Sequence, residues 1–420
     1  MCTQSVSLTA HLLLALSQNL PQSFSRSIMF VLIATSTILL TIAFVLHGCD
    51  ADAVQQILRG QSTSQSATTT LAPQAGGSSV SQGTCSGKNL GTYSWDQSFW
   101  RAGNRDLLNF LESDTGLAWN CGDVYINIAD YSNWRSIAEP ENLLAFARAF
   151  RQLSGAGSRV LWMTYGDVVE RNGVKMKEFV ATFEQWLHDY VDSDTIRQIM
   201  PIGLSYDVEH VDPKLVRDAL IEAKNMKARL TSQLGYPSGS VLLQATIQGA
   251  EDEEGTRYVM EHTDSALMML YRNYINDPTG KYQEDSNIVN RMYWMLTAQC
   301  ADCLKDDYFP HAKITVMVEA SCKMGRGCGK LSFCAHDGPG AQGGVEYMWN
   351  ILTEMDRIMQ DPVEGYMTPA RHAALFNPDT PFAVHDFKWS RCFYGESFYT
   401  SMGYDDCDSY NTMAGICRTK

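Results

Sequence analysis

Positive charge is scarce in this chain of 420 residues. Its 33 lysines and arginines stand against 47 aspartates and glutamates, a formal net charge of −14. A surplus of that sign is repelled by a phosphate backbone and by an anionic bilayer surface, which argues against either as a partner and says nothing about neutral sugars. No Asn-x-Ser/Thr sequon occurs, so N-glycosylation is not expected. Charge of either sign is nearly missing from residues 1–84, which hold Arg26, Asp50, Asp52 and Arg59 and no other Lys, Arg, Asp or Glu. The whole imbalance therefore lies in 85–420. Gln61 to Gln82 has no charge at all and is rich in Ser, Thr, Ala, Gly and Gln. Such a stretch cannot bury a core and reads as a disordered stalk.

The N-terminal region carries an uncharged apolar run from Ile28 to Leu46, long enough to cross a bilayer as a helix. Arg26 precedes it and Asp50 and Asp52 follow, which puts the N-terminus in the cytoplasm and the bulk of the chain outside. The run reads either as a transmembrane anchor or as a cleaved signal. The expected organisation is a tail over 1–27, the anchor or signal segment over 28–47, a Ser/Thr/Gly stalk over 48–84 and one folded domain over 85–420.

Ten cysteines follow Cys49, from Cys85 to Cys417. An even number beyond an export segment reads as up to five disulfides and as an extracellular or cell-surface location, anchored or secreted. Cys392 to Cys417 lies in a polar tail too poor in apolar periodicity to pack alone. It is expected to be stapled to itself or to the loop holding Cys322, Cys328 and Cys334. Cys300-Ala-Asp-Cys303 has redox-pair spacing but lacks a preceding thioredoxin-like strand. Zinc is not expected, because His336 is the only histidine near the 322–334 cysteines and a structural site needs four ligands.

From Cys85 onward, short apolar runs alternate with helical patterns. Strands are expected near Leu90–Trp95, Val124–Ala129, Arg159–Thr164, Met200–Val208, Val241–Ile247, Ala266–Tyr271, Ile314–Glu319 and Phe382–Phe387. Eight such runs separated by helices define an α/β chain folding as a (β/α)8 TIM barrel. The helix before the fourth strand is clear: Phe179, Phe183, Trp186, Leu187 and Tyr190 form one stripe at helical spacing. Asp212 and Pro213 cap and open the next helix, running to Leu234. A further helix is expected over Asp285–Leu304.

The fourth strand is the informative one. Met200-Pro-Ile-Gly-Leu-Ser-Tyr-Asp-Val-Glu209 is an apolar strand that ends in two carboxylates. Side chains alternate along a strand, so Ser205, Asp207 and Glu209 share a face. In a (β/α)8 barrel the C-terminal strand ends carry the chemistry. This stretch resembles the signature strand of glycoside hydrolase family 18, the chitinases and endo-β-N-acetylglucosaminidases, which runs Asp-Gly-x-Asp-x-Asp-x-Glu. Gly203, Asp207 and Glu209 match; Ile202 and Ser205 stand where that family has aspartates. Met269 and Tyr271 resemble the family's sixth-strand ending, with Arg272 departing. In the third strand only Gly166 remains of a Ser-x-Gly-Gly motif. Phe382 to Trp389 sits where the last strand of the family carries a sugar-stacking tryptophan.

The resemblance implies hydrolysis of β-linked N-acetylglucosamine glycans. Two carboxylates one strand repeat apart, with Cα atoms about 6.5–7 Å from each other, lie on the same side of a sugar. That disfavours a nucleophile facing an acid and suits substrate assistance, in which the 2-acetamido oxygen attacks the anomeric carbon with retention. Glu209 is then the general acid, Asp207 holds the acetamido N–H and the oxazolinium charge, and Tyr271 donates to the acetamido oxygen. Ser205 is placed to hydrogen-bond Asp207. Trp389 or His385 is expected under the sugar ring, with Tyr93, Trp95, Trp162 and Tyr165 along the groove. No cofactor is implied.

Other readings stay open. Loss of the middle aspartate and of the Ser-x-Gly-Gly motif suits a non-catalytic, chitinase-like lectin; retention of Glu209 favours the enzyme. A surface structural protein is the third possibility. A metal set of Asp207, Glu209, His210 and Asp212 is weakened because Glu209 and His210 point to opposite strand faces. Gly155-Ala-Gly157 precedes a strand rather than following one, unlike a phosphate loop.

Overall fold

The computed structural model describes residues 85–387 apart from 86, 131–134, 154–156, 167–174, 208–211, 248–252, 271–272, 275–287, 321–329, 332, 334–343 and 364. The 28–46 run, the stalk and the C-terminal cysteines lie outside the described residues. Among those described, no helix is long and apolar enough to cross a membrane.

Eight parallel strands close into a barrel. They are β1 (Leu90–Ser94), β2 (Val124–Asn127), β3 (Leu161–Gly166), β4 (Ile202–Asp207), β5 (Val241–Ile247), β6 (Ser265–Met269), β8 (Lys313–Glu319) and β10 (Phe382–His385). Two short strands, β7 (Asn273–Tyr274) and β9 (Lys330–Leu331), pair separately and antiparallel. Around the barrel the order is β1-β10-β8-β6-β5-β4-β3-β2. The expected (β/α)8 barrel is the observed fold, with each expected barrel strand present and its ends shifted by at most two residues.

Helices cover the barrel because each has one apolar stripe to bury. Met176–Tyr190 buries Phe179, Val180, Phe183, Trp186 and Leu187. Each such side chain removed from water contributes about 1.5–3 kcal/mol. The Trp186 indole N–H donates to the Pro140 carbonyl, tying this helix to the start of Pro140–Arg151. Pro213–Leu234 is the longest described helix. Asp212 caps its start by accepting from the Lys214 N–H, and Gly235 ends it in the left-handed region at φ 67°. The helix expected over Asp285–Leu304 is shorter. It runs Ile288–Trp294, widens into a π-type turn over Met295–Gln299 and stops at Cys300. There a disulfide to Cys303 closes the chain into a tight loop. A second disulfide joins Cys85 to Cys121.

The barrel interior is packed. Tyr93, Tyr125 and Trp162, from β1, β2 and β3, stack nearly parallel with ring centroids 5.5 and 6.4 Å apart. Leu267, Met269, Met317 and Ala383 fill the opposite wall. Below the stack, Asp123 is buried and accepts from the Trp162 indole N–H at 2.9 Å and the Val160 N–H at 2.9 Å. Burial pushes its carboxyl pKa up against those bonds and against the nearby Arg159. Gly203 exists to admit Trp162: a Cβ there would lie 2.2 Å from the indole ring.

Candidate active site at the barrel mouth

Strand alternation sets which side chains reach the C-terminal mouth. On β4 the inward positions are Gly203, Ser205 and Asp207, and on β8 they end at Glu319. Tyr93, His385 and Glu319 are level with one another on the adjacent strands β1, β10 and β8. Asp207 is 6% exposed and its carboxylate accepts from the Tyr93 hydroxyl at 2.8 Å. His385 Nδ1 lies 3.4 Å from the Glu319 carboxylate, and its ring packs on Tyr93 with centroids 5.2 Å apart. Asp386 follows β10 and accepts from the Trp95 N–H at 3.1 Å.

One imidazole thus faces three carboxylates, those of Glu319, Asp386 and Asp207. Burial alone would push its pKa down. Glu319 beside it, with Asp386 and Asp207, together outweigh that effect, and the pKa rises to about 9. That balance favours the cationic form of His385 at neutral pH. A charged imidazole is a hydrogen-bond donor and a poor apolar floor for a sugar ring.

Trp95 is the aromatic that the mouth presents beside Asp207. It is half-buried, its N–H is held by Asp386, and Asn127 Nδ2 reaches its carbonyl at 3.5 Å. Its ring lies across Gly166, where a Cβ would come within 2.2 Å of the indole and 2.6 Å of the Asp207 carbonyl. Gly166 therefore has a physical reason: it leaves room for the Trp95 indole against the backbone of β3 and β4.

Of the residues expected at the site, Asp207, Trp95 and His385 converge at the mouth; Tyr93, expected along the groove, is instead fully buried in the interior stack and reaches the site only through its hydroxyl on Asp207. Glu209, Tyr271 and Trp389 lie outside the described residues. Three further expectations are corrected. Tyr165 does not line the groove: it sits on the outward face of β3, fully buried and stacked on Phe179 with centroids 4.2 Å apart. Trp162 is likewise no groove residue but part of the interior stack. Ser205 is buried, and its hydroxyl donates sideways to Gln244 at 2.8 Å, where the Gln244 amide continues to Ser265 at 2.8 Å. The bond expected from Ser205 to Asp207 is replaced by this chain, because Gln244 stands level with Ser205 on β5.

Glu319 and Asp386 were not foreseen. The signal for Glu319 was present, an apolar strand ending in an acid, as on β4. For Asp386 there was none, since its partner Trp95 lies 291 positions away. Among the described residues, no group of three or more His, Cys, Asp or Glu is arranged to hold a metal ion.

The fold and the mouth define a closed (β/α)8 barrel with a carboxylate-lined C-terminal end. No family model matches this chain, and no curated protein matches it in sequence. Several solved structures show a weak likeness to it. The spore cortex-lytic enzyme SleL of Bacillus cereus is 14% identical, with a TM-score of 0.35, over 56% of this chain and 50% of that one; the chain thus spans half the length of SleL. Concanavalin B is 13% identical over 80% of this chain and 99% of its own, with a TM-score of 0.36. A class V chitinase from Nicotiana tobaccum, in complex with NAG4, is 10% identical over 79% and 99%, with a TM-score of 0.37.

Proposed function

We propose that this protein is an exported glycoside hydrolase acting on β-linked N-acetylglucosamine glycans by substrate assistance. The observation that carries the reading is the placement of Asp207. It faces inward at the C-terminal end of β4, gripped by the Tyr93 hydroxyl and two residues before Glu209. In this reading the Glu209 carboxyl gives its proton to the glycosidic oxygen. The acetamido oxygen of the same sugar bonds to the anomeric carbon as the leaving sugar departs. Asp207 accepts from the acetamido N–H and faces the positive oxazolinium ion. Tyr271 donates to the attacking oxygen. Water, deprotonated by Glu209, then opens the ring with retention. Trp95 is the platform for the pyranose ring. The cysteines and the 28–46 run support a cell-surface or secreted location, with the membrane reached through residues 28–46 if that run is uncleaved.

The lectin reading has one specific observation in its favour. Ser205 brings no second carboxylate under Asp207, and its hydroxyl is turned away to Gln244, so nothing at that position can share a proton with Asp207.

One assay separates the two. The chain is incubated with a chito-oligosaccharide and with an N-glycan. The hydrolase reading expects cleavage with retention, a fall of at least about a hundredfold for Glu209→Gln with binding kept, a severe loss for Asp207→Asn, and no turnover of a substrate lacking the 2-acetamido group. Binding without cleavage establishes the lectin. Neither binding nor cleavage leaves a structural role.

A further inference from the structure

We infer that Glu319 is a positioning residue of this mouth: through His385 it holds the Tyr93 ring, and so the hydroxyl that grips Asp207, in one arrangement. The inference rests on the reading of Asp207 given above. Its basis is a continuous line of contacts. Glu319 Oε2 lies 3.4 Å from His385 Nδ1, the His385 ring packs on the Tyr93 ring at 5.2 Å, and the Tyr93 hydroxyl reaches Asp207 at 2.8 Å. The first three residues are level on three adjacent strands, so strand register fixes their order. Rigid strands place a site more firmly than loops do.

The chemistry follows from charge. The groups facing His385 are Glu319 from β8, Asp207 from β4, Asp386 beyond β10, and the Tyr93 ring from β1. A cationic imidazole within about 6 Å of a tyrosine ring is attracted to it. It also leaves a positive charge facing Asp207, which favours the ionised carboxylate that the oxazolinium ion requires. Without the Glu319 charge, only Asp386 and Asp207 are left to oppose burial, and the imidazole holds its proton less tightly. Tyr93 then loses the cationic neighbour that holds its hydroxyl on Asp207.

Glu319 is itself a carboxylate at the mouth, so a covalent role must be separated from a positioning one. The full chain is prepared as wild type, Glu319→Gln, Glu319→Asp and His385→Gln. Ring carbon resonances of His385, identified by their loss in His385→Gln, are followed against pH. The expected midpoint is near 9 in the wild type, falls clearly in Glu319→Gln, and is partly restored in Glu319→Asp. Cleavage of the chito-oligosaccharide by Glu319→Gln should be within about twofold of wild type at pH 5 and about tenfold slower at pH 8. That loss falls in kcat rather than KM, because a histidine of ordinary pKa is charged only at the lower pH. An unchanged His385 midpoint in Glu319→Gln overturns the inference. So does a loss of equal size at every pH, or a glycosyl ester trapped on Glu319 by a 2-fluoro glycoside, which would make it the nucleophile. A wild type that cleaves nothing defeats the hydrolase reading; the titration then still decides the coupling of Glu319 to His385.

Discussion

The Tyr93 hydroxyl donates to the Asp207 carboxylate at 2.8 Å, joining residues 114 positions apart. A hydrogen bond to a charged group contributes about 1.5–3 kcal/mol. Tyr93→Phe removes that bond while keeping the ring stacked on Tyr125. Since about 1.4 kcal/mol is tenfold in rate, kcat on a chito-oligosaccharide should fall about 10- to 100-fold. A circular-dichroism melt should still show a cooperative, folded domain. A variant as fast as wild type would mean that Tyr93 supports packing and not the carboxylate.

The two glycines at the barrel interior should answer differently to the same methyl group. Gly203→Ala drives a Cβ to 2.2 Å from a Trp162 ring that cannot retreat, being stacked on Tyr125 and bonded to Asp123. Overpacking of this kind costs about 1–3 kcal/mol, read as a lower urea midpoint. Gly166→Ala presses instead on the half-buried Trp95 and on the Asp207 carbonyl. Its main effect should be a loss of oligosaccharide affinity by titration calorimetry. Unchanged affinity in Gly166→Ala would remove Trp95 as the sugar platform.

Folding stability should carry a signature of His385. Its folded pKa of about 9 lies above the ordinary value of about 6.5. The folded chain therefore binds this proton more tightly than the unfolded chain does. The stabilisation is fully present below about pH 6.5 and is lost as pH rises through about 9, with an upper bound of about 3 kcal/mol. Other groups titrate in the same range, so the measure is the difference between wild type and His385→Gln in urea unfolding at pH 6 and pH 9.5. Equal slopes for the two proteins would contradict it.

Much of this architecture was legible along the chain. Short apolar runs marked the eight barrel strands, and the stripe from Phe179 to Tyr190 marked the helix beside β4. These are local signals: an apolar run bounded by helical patterns, and a helical period of 3.6, can be read in a window of sequence. Asp207 was legible for the same reason. Ser205 was misread because its partner was sought along its own strand, whereas Gln244 is level with it on the next. Tyr165 was misread because being near a strand end does not say which face a residue occupies. The strand begins at Leu161, and counting inward positions from Trp162 turns Tyr165 outward onto Phe179.

Sequence by itself determined that this chain builds a parallel barrel and that β4 ends in acids, because hydrophobic period and strand polarity are properties of neighbouring residues. Only the tertiary structure decided what surrounds Asp207. Closure of the barrel brings β1, β8 and β10 level at one mouth, and so assembles Tyr93, Glu319, His385 and Asp386 around a carboxylate from β4. The charge state of His385 belongs to that assembly: an imidazole's pKa depends on burial and on carboxylates within a few ångströms, and those carboxylates come from strands that no local pattern relates to one another.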